Sequence, residues 1–574
     1  MSTAGESRLA RLSVLFDTLL ARRQHAAGIN TFQIYVNEIL AHAGFSFDRR
    51  TSIKHVSLDT ADILIVALAE DDQTTSESLW QFAEQGGVVI ILAGSGSLAQ
   101  RAGCAISTAL TAGYATLPAS PAEGTPLRFL SAMPWNITES TSLSVEGIGK
   151  LEAGRPGGEL MGPLIVRTSV GTGVIERWAV DVASTVVALQ QGVEPVRRDG
   201  QPAPDGSAQI NEGILKADDG FTLDWTLDRR TTSTGQPYFA YPYADLWREV
   251  LINRLLLLAR ERGLALPFVD YWPPGVQSVA LISHDSDLNN NDSALTTLRL
   301  EQEHAIHSTW CILEPGYAPE VYQQIKAQGH ELAFHYNSVE HEQYRWDASE
   351  FTRQFEWLKA AAQLETVASN KNHYTRFEGW GDLFVWLETA GIELDQTRGP
   401  SKRGNVGLLF GTCHPFFPIA WHDEDNRLYD VLELGFLTQD MDLGNWADSS
   451  AIAPFIDAVQ RVRGVAHFLF HPIHLHQQEA VRKAFAAVIS ELRQRGFPFW
   501  TSRQINDWER ARRTLRVEGI DGQGRCQVRR TSGHGPLGQV VVWAPGATEA
   551  DEAGNALVGE RFGLPCRGQI VEVM

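Results

Sequence analysis

The chain has 574 residues, 43% hydrophobic and 21% charged, which excludes a disordered chain and, at this length, a single ordinary core, so that three domains are expected. Acidic residues outnumber basic ones 69 to 49, a net charge of −20, and this disfavours nucleic acid as a partner, because such affinity comes largely from Lys and Arg. Five dispersed cysteines without a CxxC pair, and a Leu/Arg-mixed stretch over residues 1–25 lacking an apolar h-region, predict a cytoplasmic, disulfide-free protein.

From Thr31, FQIYVNEILAHAG predicts a helix, DILIVAL (62–68) a strand, TSESLWQFAEQGG a helix and VVIILAG (88–94) a second buried strand. Apolar strands without alternation suit a sheet covered on both faces, so residues 1–265 are expected to form a Rossmann-like parallel-sheet domain. PLIVRTSVGTGVIERWAVDV (163–182) reads as two strands about a Gly turn, and a helix begins near Ala244. Between them, residues 191–236 are rich in Gly, Pro, Asp and Thr and read as a polar insertion or long loop. The patterns EIL.HAG, D.LIV and W.FAEQGG.VIILAG resemble the class I glutamine-amidotransferase-like domain. That family's catalytic members need an elbow Cys after the strand. Here the turn is Ser95-Gly96-Ser97, so a non-catalytic binding or structural role is expected.

ALPFVDYWPPG (265–275) marks the next boundary, where a Pro pair ends the helical pattern. Strand candidates QSVALISHD, HSTWCIL, HELAFH, LETVASN, IELDQT, VGLLFGT, LYDVLELGF and VAHFLFH then alternate with helical stretches. Eight strands with helices between most of them predict a distorted (β/α) barrel over 271–511, with reactive residues at the C-terminal strand ends. From about 512, TLRVEGI, CQVRRTS, GQVVVWAPG and GQIVEVM read as a small C-terminal β module, 512–574.

Three strand candidates end in residues that carry chemistry. In Ser283-His284-Asp285-Ser286-Asp287, two acids spaced by two lie on one face of a strand end, and they repel unless a cation or proton sits between them. Gly329-His330-Glu331 leads to His335, with Asn337 and His341 after it, and Phe470-His471-Pro472 closes the last strand. An Asp with two His is a recognisable site for zinc or a similar divalent ion.

In order and spacing these segments resemble the polysaccharide deacetylase (NodB-like) family over about residues 271–511, as do Asn372-His373-Tyr374-Thr375-Arg376, Gly391 to Thr397 and Phe410 to Phe416. The resemblance implies a metal-dependent hydrolase of a non-peptide C–N amide bond, most simply an N-acetyl group on a sugar or glycan. It assigns Asp287, His335 and His341 to the metal, Asp285 to the base and His471 to the acid, with His373, Arg376, Phe416 and Asp440 toward substrate. This chain departs from the family in two places. A second metal-binding His four residues after His335 would fall at 339, which is Val, and the Arg-x-Pro-x-Gly motif is absent, its place taken by His373 and Arg376. The third ligand is therefore ranked His341, His373, Asn337. Trp380, Phe416, Phe417 and Trp421 are expected to include sugar-facing rings. The alternative is a catalytically inactive, glycan-binding or scaffolding relative.

Overall fold

The computed structural model describes residues 8–138, 143–210, 213–444, 446–521, 524–533, 535, 537–546 and 557–573, the His341 side chain excepted. Its centre is a curled sheet of eight parallel strands: β1 Val279–Asp285, β2 Thr309–Ile312, β3 Glu331–Tyr336, β4 Ser369–Asn372, β5 Leu394–Asp395, β6 Leu432–Glu433, β7 Thr438–Gln439 and β8 Val465–Leu469. They lie in the order β6-β5-β4-β3-β2-β1-β8-β7. No β6–β7 ladder forms among the described residues, so the sheet is an open half-barrel.

Every residue of β1, β3, β4 and β8 is buried, as strands covered on both faces must be. The cover comes from amphipathic helices such as Ile452–Val462, which buries Ile452, Phe455, Ile456, Val459 and Val462 along one stripe. Ala348–Ala362 starts where the Asp347 carboxylate accepts from Ser349 N and Glu350 N.

The strand candidate VGLLFGT is not a strand. Gly407 has φ +99°, and a Cβ there would lie 2.3 Å from the Phe239 carbonyl oxygen, so this segment approaches another backbone instead of pairing in the barrel. Thr438–Gln439 is the eighth strand in its stead.

Toward the N-terminus, a seven-stranded sheet runs Val145–Ile148, Ile165–Val170, Gly173–Trp178, Val88–Leu92, Ile63–Leu68, Leu12–Phe16, Asp48–Arg50. The last five are mutually parallel. Val145–Ile148 pairs antiparallel with Ile165–Val170, which turns at Gly171 into an antiparallel hairpin with Gly173–Trp178, so the sheet is mixed and not parallel throughout. Leu12–Phe16 is a fully buried strand that the Leu/Arg mixture of the N-terminus concealed. In the turn after Val88–Leu92, Ser95 adopts φ 52°, ψ 42°, and the Asp71 carboxylate accepts from Gly96 N and Ser97 N at 2.8 Å each.

Residues 191–236 are not a free loop. Their described residues bridge to the barrel, Val196 to Gly379 and Lys216 to Arg376, and bring Lys216 to the cavity over its strand ends. The tail adds a four-stranded antiparallel sheet, Phe268–Val269, Gly538–Pro545, Leu564–Val573, Leu557–Arg561. Buried Asp270 accepts from Arg463 of the barrel and from Trp543 Nε1 (2.6 Å) and Arg561 of the tail. One apolar cluster takes in N-terminal sheet, barrel and tail, from Ala10 to Cys566. The five cysteines are free thiols, and among the described residues no helix is long and apolar enough to cross a membrane.

Candidate active site

The side-chain alternation of β1 sends Ser283 and Asp285 to the barrel interior and His284 to the helix layer, where it meets Glu301 at 3.0 Å. Along β3 the same alternation points Glu331 and His335 inward. His330, just before the strand, packs outward against Glu301 at 3.5 Å. Two of the histidines in the sequence motifs, His284 and His330, are thus structural.

Inside, Asp287 is the hub. Its carboxylate lies 3.3 Å from His335 Nε2, 3.5 Å from His373 Nε2 and 3.4 Å from His471 Nε2. Each ring is oriented through its other nitrogen: His335 Nδ1 on the Lys371 carbonyl at 2.8 Å, His373 Nδ1 on Asn337 Oδ1 at 3.2 Å, and His471 Nδ1 on the Asp440 carboxylate. Carbonyl and amide oxygens only accept, so Nδ1 of His335 and His373 carries a proton, and Nε2 is left facing Asp287, a donor to it when the ring is protonated and a lone pair when the ring is neutral. Asp285 lies beside them, with Oδ1 3.1 Å from buried Lys371 Nζ and Oδ2 3.8 Å from His335 Nε2. Lys371 Nζ also donates to Ser283 Oγ at 2.7 Å.

The loops that present these groups are strained. Tyr374 and Thr375, directly after His373, have φ of 57° and 53°, and Asp440 has φ 29°. Such outliers persist only where the surroundings hold them.

Burial acts to raise the Asp287 carboxyl, but His471, His373 and the hydrogen bond from His335 outweigh it and hold its pKa well below the usual carboxylate range. Burial likewise opposes an ionised Asp440, yet His471 and His474 bring it down to about 2. His471 responds in the opposite sense: against the cost of burial, Asp440 and Asp287 raise its pKa well above the ordinary imidazole value. His471 thus lies between two carboxylates that favour its protonated form.

Two groupings have the composition of a metal site. Asp440, His471 and His474 offer ligand atoms within 4.8 Å of one another. Asp440, however, already accepts the His471 backbone N–H at 2.8 Å as well as its Nδ1–H, which commits both carboxylate oxygens to orienting that ring. Asp287, His335 and His373 combine one carboxylate with two imidazoles that turn Nε2 toward it and, as neutral rings, would present those lone pairs to an ion, the donor chemistry that suits zinc. We take the second grouping as the better fit.

The cavity over these residues has a volume of about 360 Å³ and is lined by Asp285, Asp287, His373, Asp440, His471 and His474, and also by Lys216, Tyr374, Ser401, Lys402, Gln439, Thr375 and Trp446. The structure thus brings Asp285, Asp287, His335, His373, Asp440 and His471 together. The His341 side chain lies outside the described residues. Asn337, third among the ligand candidates, turns its oxygen to His373.

The structure qualifies one sequence expectation and corrects two. Asp440, expected to bind substrate, lines the cavity and at the same time supports His471, because the tight turn at the end of β7 aims its carboxylate at that ring. Arg376 is buried with its guanidinium on Glu378, and it is Lys371 that occupies the position against Asp285. Phe416 is buried with its backbone paired to Glu433, and Phe417 packs beneath Arg510 and Arg513. Trp380 stacks on Phe32, and its Nε1 donates to the Ile419 carbonyl. Trp380 thereby joins the barrel to N-terminal Phe32, and Tyr374 and Trp446 are the aromatics that line the cavity. Sequence reasoning missed Lys371, whose signal is a wholly buried strand of four polar residues, Ser369–Asn372. It also missed Lys216, which comes from outside the barrel.

No family model matches the chain, and no curated protein does. Among solved structures, a Mycobacterium smegmatis protein assigned as a polysaccharide deacetylase is similar at 16% identity, TM-score 0.32, over 42% of this chain and 93% of that one. Puue allantoinase is similar at 11% identity, TM-score 0.31, over 41% and 91%. A peptidoglycan N-acetylglucosamine deacetylase is similar at 13% identity, TM-score 0.24, over 41% and 89%.

Proposed function

We propose that this chain is a metal-dependent amidohydrolase of the polysaccharide deacetylase kind, acting on a non-peptide C–N bond, most simply an N-acetyl group of a sugar. The observation that carries the reading is the meeting of three imidazole Nε2 atoms at Asp287, with Asp285 held beside them by Lys371 and His471 backed by Asp440. Asp287, His335 and His373 would hold the ion, for which zinc is the best match to one carboxylate and two imidazoles. A bound divalent ion supplies an acidified water and a polarised carbonyl.

The protein's own residues divide the proton work. Asp285 takes the proton of the attacking water, and the Lys371 ammonium on Oδ1 leaves Oδ2 turned to the cluster. His471 enters as an imidazolium. It gives its Nε2 proton to the departing amine while Asp440 keeps the ring charged and correctly turned. The N-terminal sheet has a supporting role in this reading, because the turn at Ser95 is fixed by Asp71 and offers no nucleophile–base pair among the described residues.

The test is release of acetate from N-acetylated sugars and chito-oligomers by zinc-loaded protein, with Asp285→Asn as control. Turnover that disappears with chelator and in Asp285→Asn supports the reading. Stoichiometric zinc with no amide hydrolysis across such substrates would overturn it.

A further inference from the structure

Lys216 reaches the cavity from outside the barrel. Its backbone is fixed on three sides: the bridge to Arg376, the hydrogen bond from Phe377 N to the Leu215 carbonyl at 3.1 Å, and Asp218, which accepts from Ser401 N at 2.9 Å and Asn405 Nδ2 at 2.6 Å. This anchoring sets the side chain into the cavity and not into solvent. Lys216 is 2% exposed, and its ammonium stands 5.2 Å from the centre of the Tyr374 ring.

Among the described residues no carboxylate lies within ion-pair distance of that ammonium. Its neighbours Asp218 and Asp219 are occupied elsewhere, Asp218 with Ser401 and Asn405, Asp219 with Lys402 Nζ at 3.3 Å. A buried ammonium without a counter-charge is costly, and burial accordingly lowers its pKa against the opposing pull of the two aspartates. An aromatic face offsets only part of that cost. The carboxylates below, Asp287 and Asp440, face the histidines around them, and neither is within ion-pair distance of the Lys216 ammonium, so they do not supply the missing partner. The remaining source of negative charge is whatever enters the cavity.

We propose that Lys216, assisted by Lys402, receives an anionic oxyacid group of the substrate, a carboxylate or a phosphate, in the same cavity as the acyl group. The substrate class is then an acidic or phosphorylated N-acyl sugar, in preference to a neutral one. The position of the acyl group rests on the amidohydrolase reading. The anion contact does not.

Full-length, metal-free protein removes zinc as a competing anion ligand. Wild type, Lys216→Met and Lys216→Arg are titrated calorimetrically with N-acetylglucosamine, its 1-phosphate, inorganic phosphate and glucuronate. Wild type is expected to bind the anionic probes at least about tenfold tighter than the neutral sugar, the scale of one charge-assisted hydrogen bond. Lys216→Met should lose that preference and Lys216→Arg keep part of it, while phosphate against glucuronate decides between the two oxyacids. Hydrolysis failing everywhere while the anion preference stands would remove the amidohydrolase reading alone. Equal wild-type affinity for neutral and anionic probes overturns the proposal even if Lys216→Met proves too unstable to assay. So does a preference that survives intact in a stably folded Lys216→Met.

Discussion

His471 lies between two carboxylates, and its chemistry follows from that position. With its pKa raised, it favours the folded state fully below the ordinary imidazole pKa, and that contribution is lost as pH rises through the folded value. Asp440 and Asp287 run the other way: their depressed pKa values stabilise the fold above the usual carboxylate range and cease to do so as pH falls, toward about 2 for Asp440. Activity that needs the imidazolium should therefore decline on the alkaline side. Asp440→Asn should move that limb to lower pH and reduce kcat about 100-fold, the ordinary contribution of a positioned acid, while zinc content is unchanged. A pH–rate profile beside metal analysis checks both. His335→Ala and His373→Ala should each lose stoichiometric zinc after dialysis. Retention by His373→Ala with loss in His341→Ala would transfer the third position to His341. Asp285, Asp287, His335 and His471 were legible in the sequence because each lies at or just beyond the end of an apolar strand. Lys371 was not, since a charged residue inside a buried strand breaks the pattern by which such strands are recognised.

At the level of elements, seven of the eight barrel-strand candidates are strands. The failure, VGLLFGT, has a local cause: periodicity reports burial, and this segment is buried for a different reason. Gly407 runs against Phe239, with Gly407 N donating to the Leu437 carbonyl at 2.8 Å and Leu408 N to the Phe239 carbonyl at 2.9 Å. Gly407→Ala should combine left-handed strain with a backbone clash and destabilise by ~1–3 kcal/mol, seen as a lowered melting temperature with zinc affinity retained. The N-terminal strands at 63–68 and 88–92 were legible as apolar runs. Leu12–Phe16 was hidden by the arginines that flank it.

For the molecule as a whole, the clamp at Asp270 matters most. One carboxylate joins the segment before the barrel to Arg463 within it and to Arg561 and Trp543 of the tail. Burial would raise its pKa, but the two arginines hold it below the usual value. Asp270→Ala leaves buried guanidinia uncompensated and should cost about 3–5 kcal/mol, read as a lower urea midpoint at pH 7. The difference from wild type should shrink as pH falls through the folded Asp270 pKa, because the wild-type carboxylate is then lost as well. A fragment of residues 271–511 would present to water the apolar surface that the N-terminal residues and tail now cover. It is expected to aggregate where the full chain does not, by light scattering.

The strap over residues 191–236 separates two kinds of information along the polypeptide. The groups proposed to break and make bonds are encoded between 285 and 471, whereas the cation proposed to face the substrate, Lys216, is encoded ahead of the barrel and delivered to the same cavity. Changes in the strap can therefore alter which molecules are accepted without disturbing proton transfer. Exchange of this stretch among related chains should transplant selectivity while kcat on a common small amide stays constant, so that divergence of substrate range and conservation of chemistry proceed on different parts of one gene.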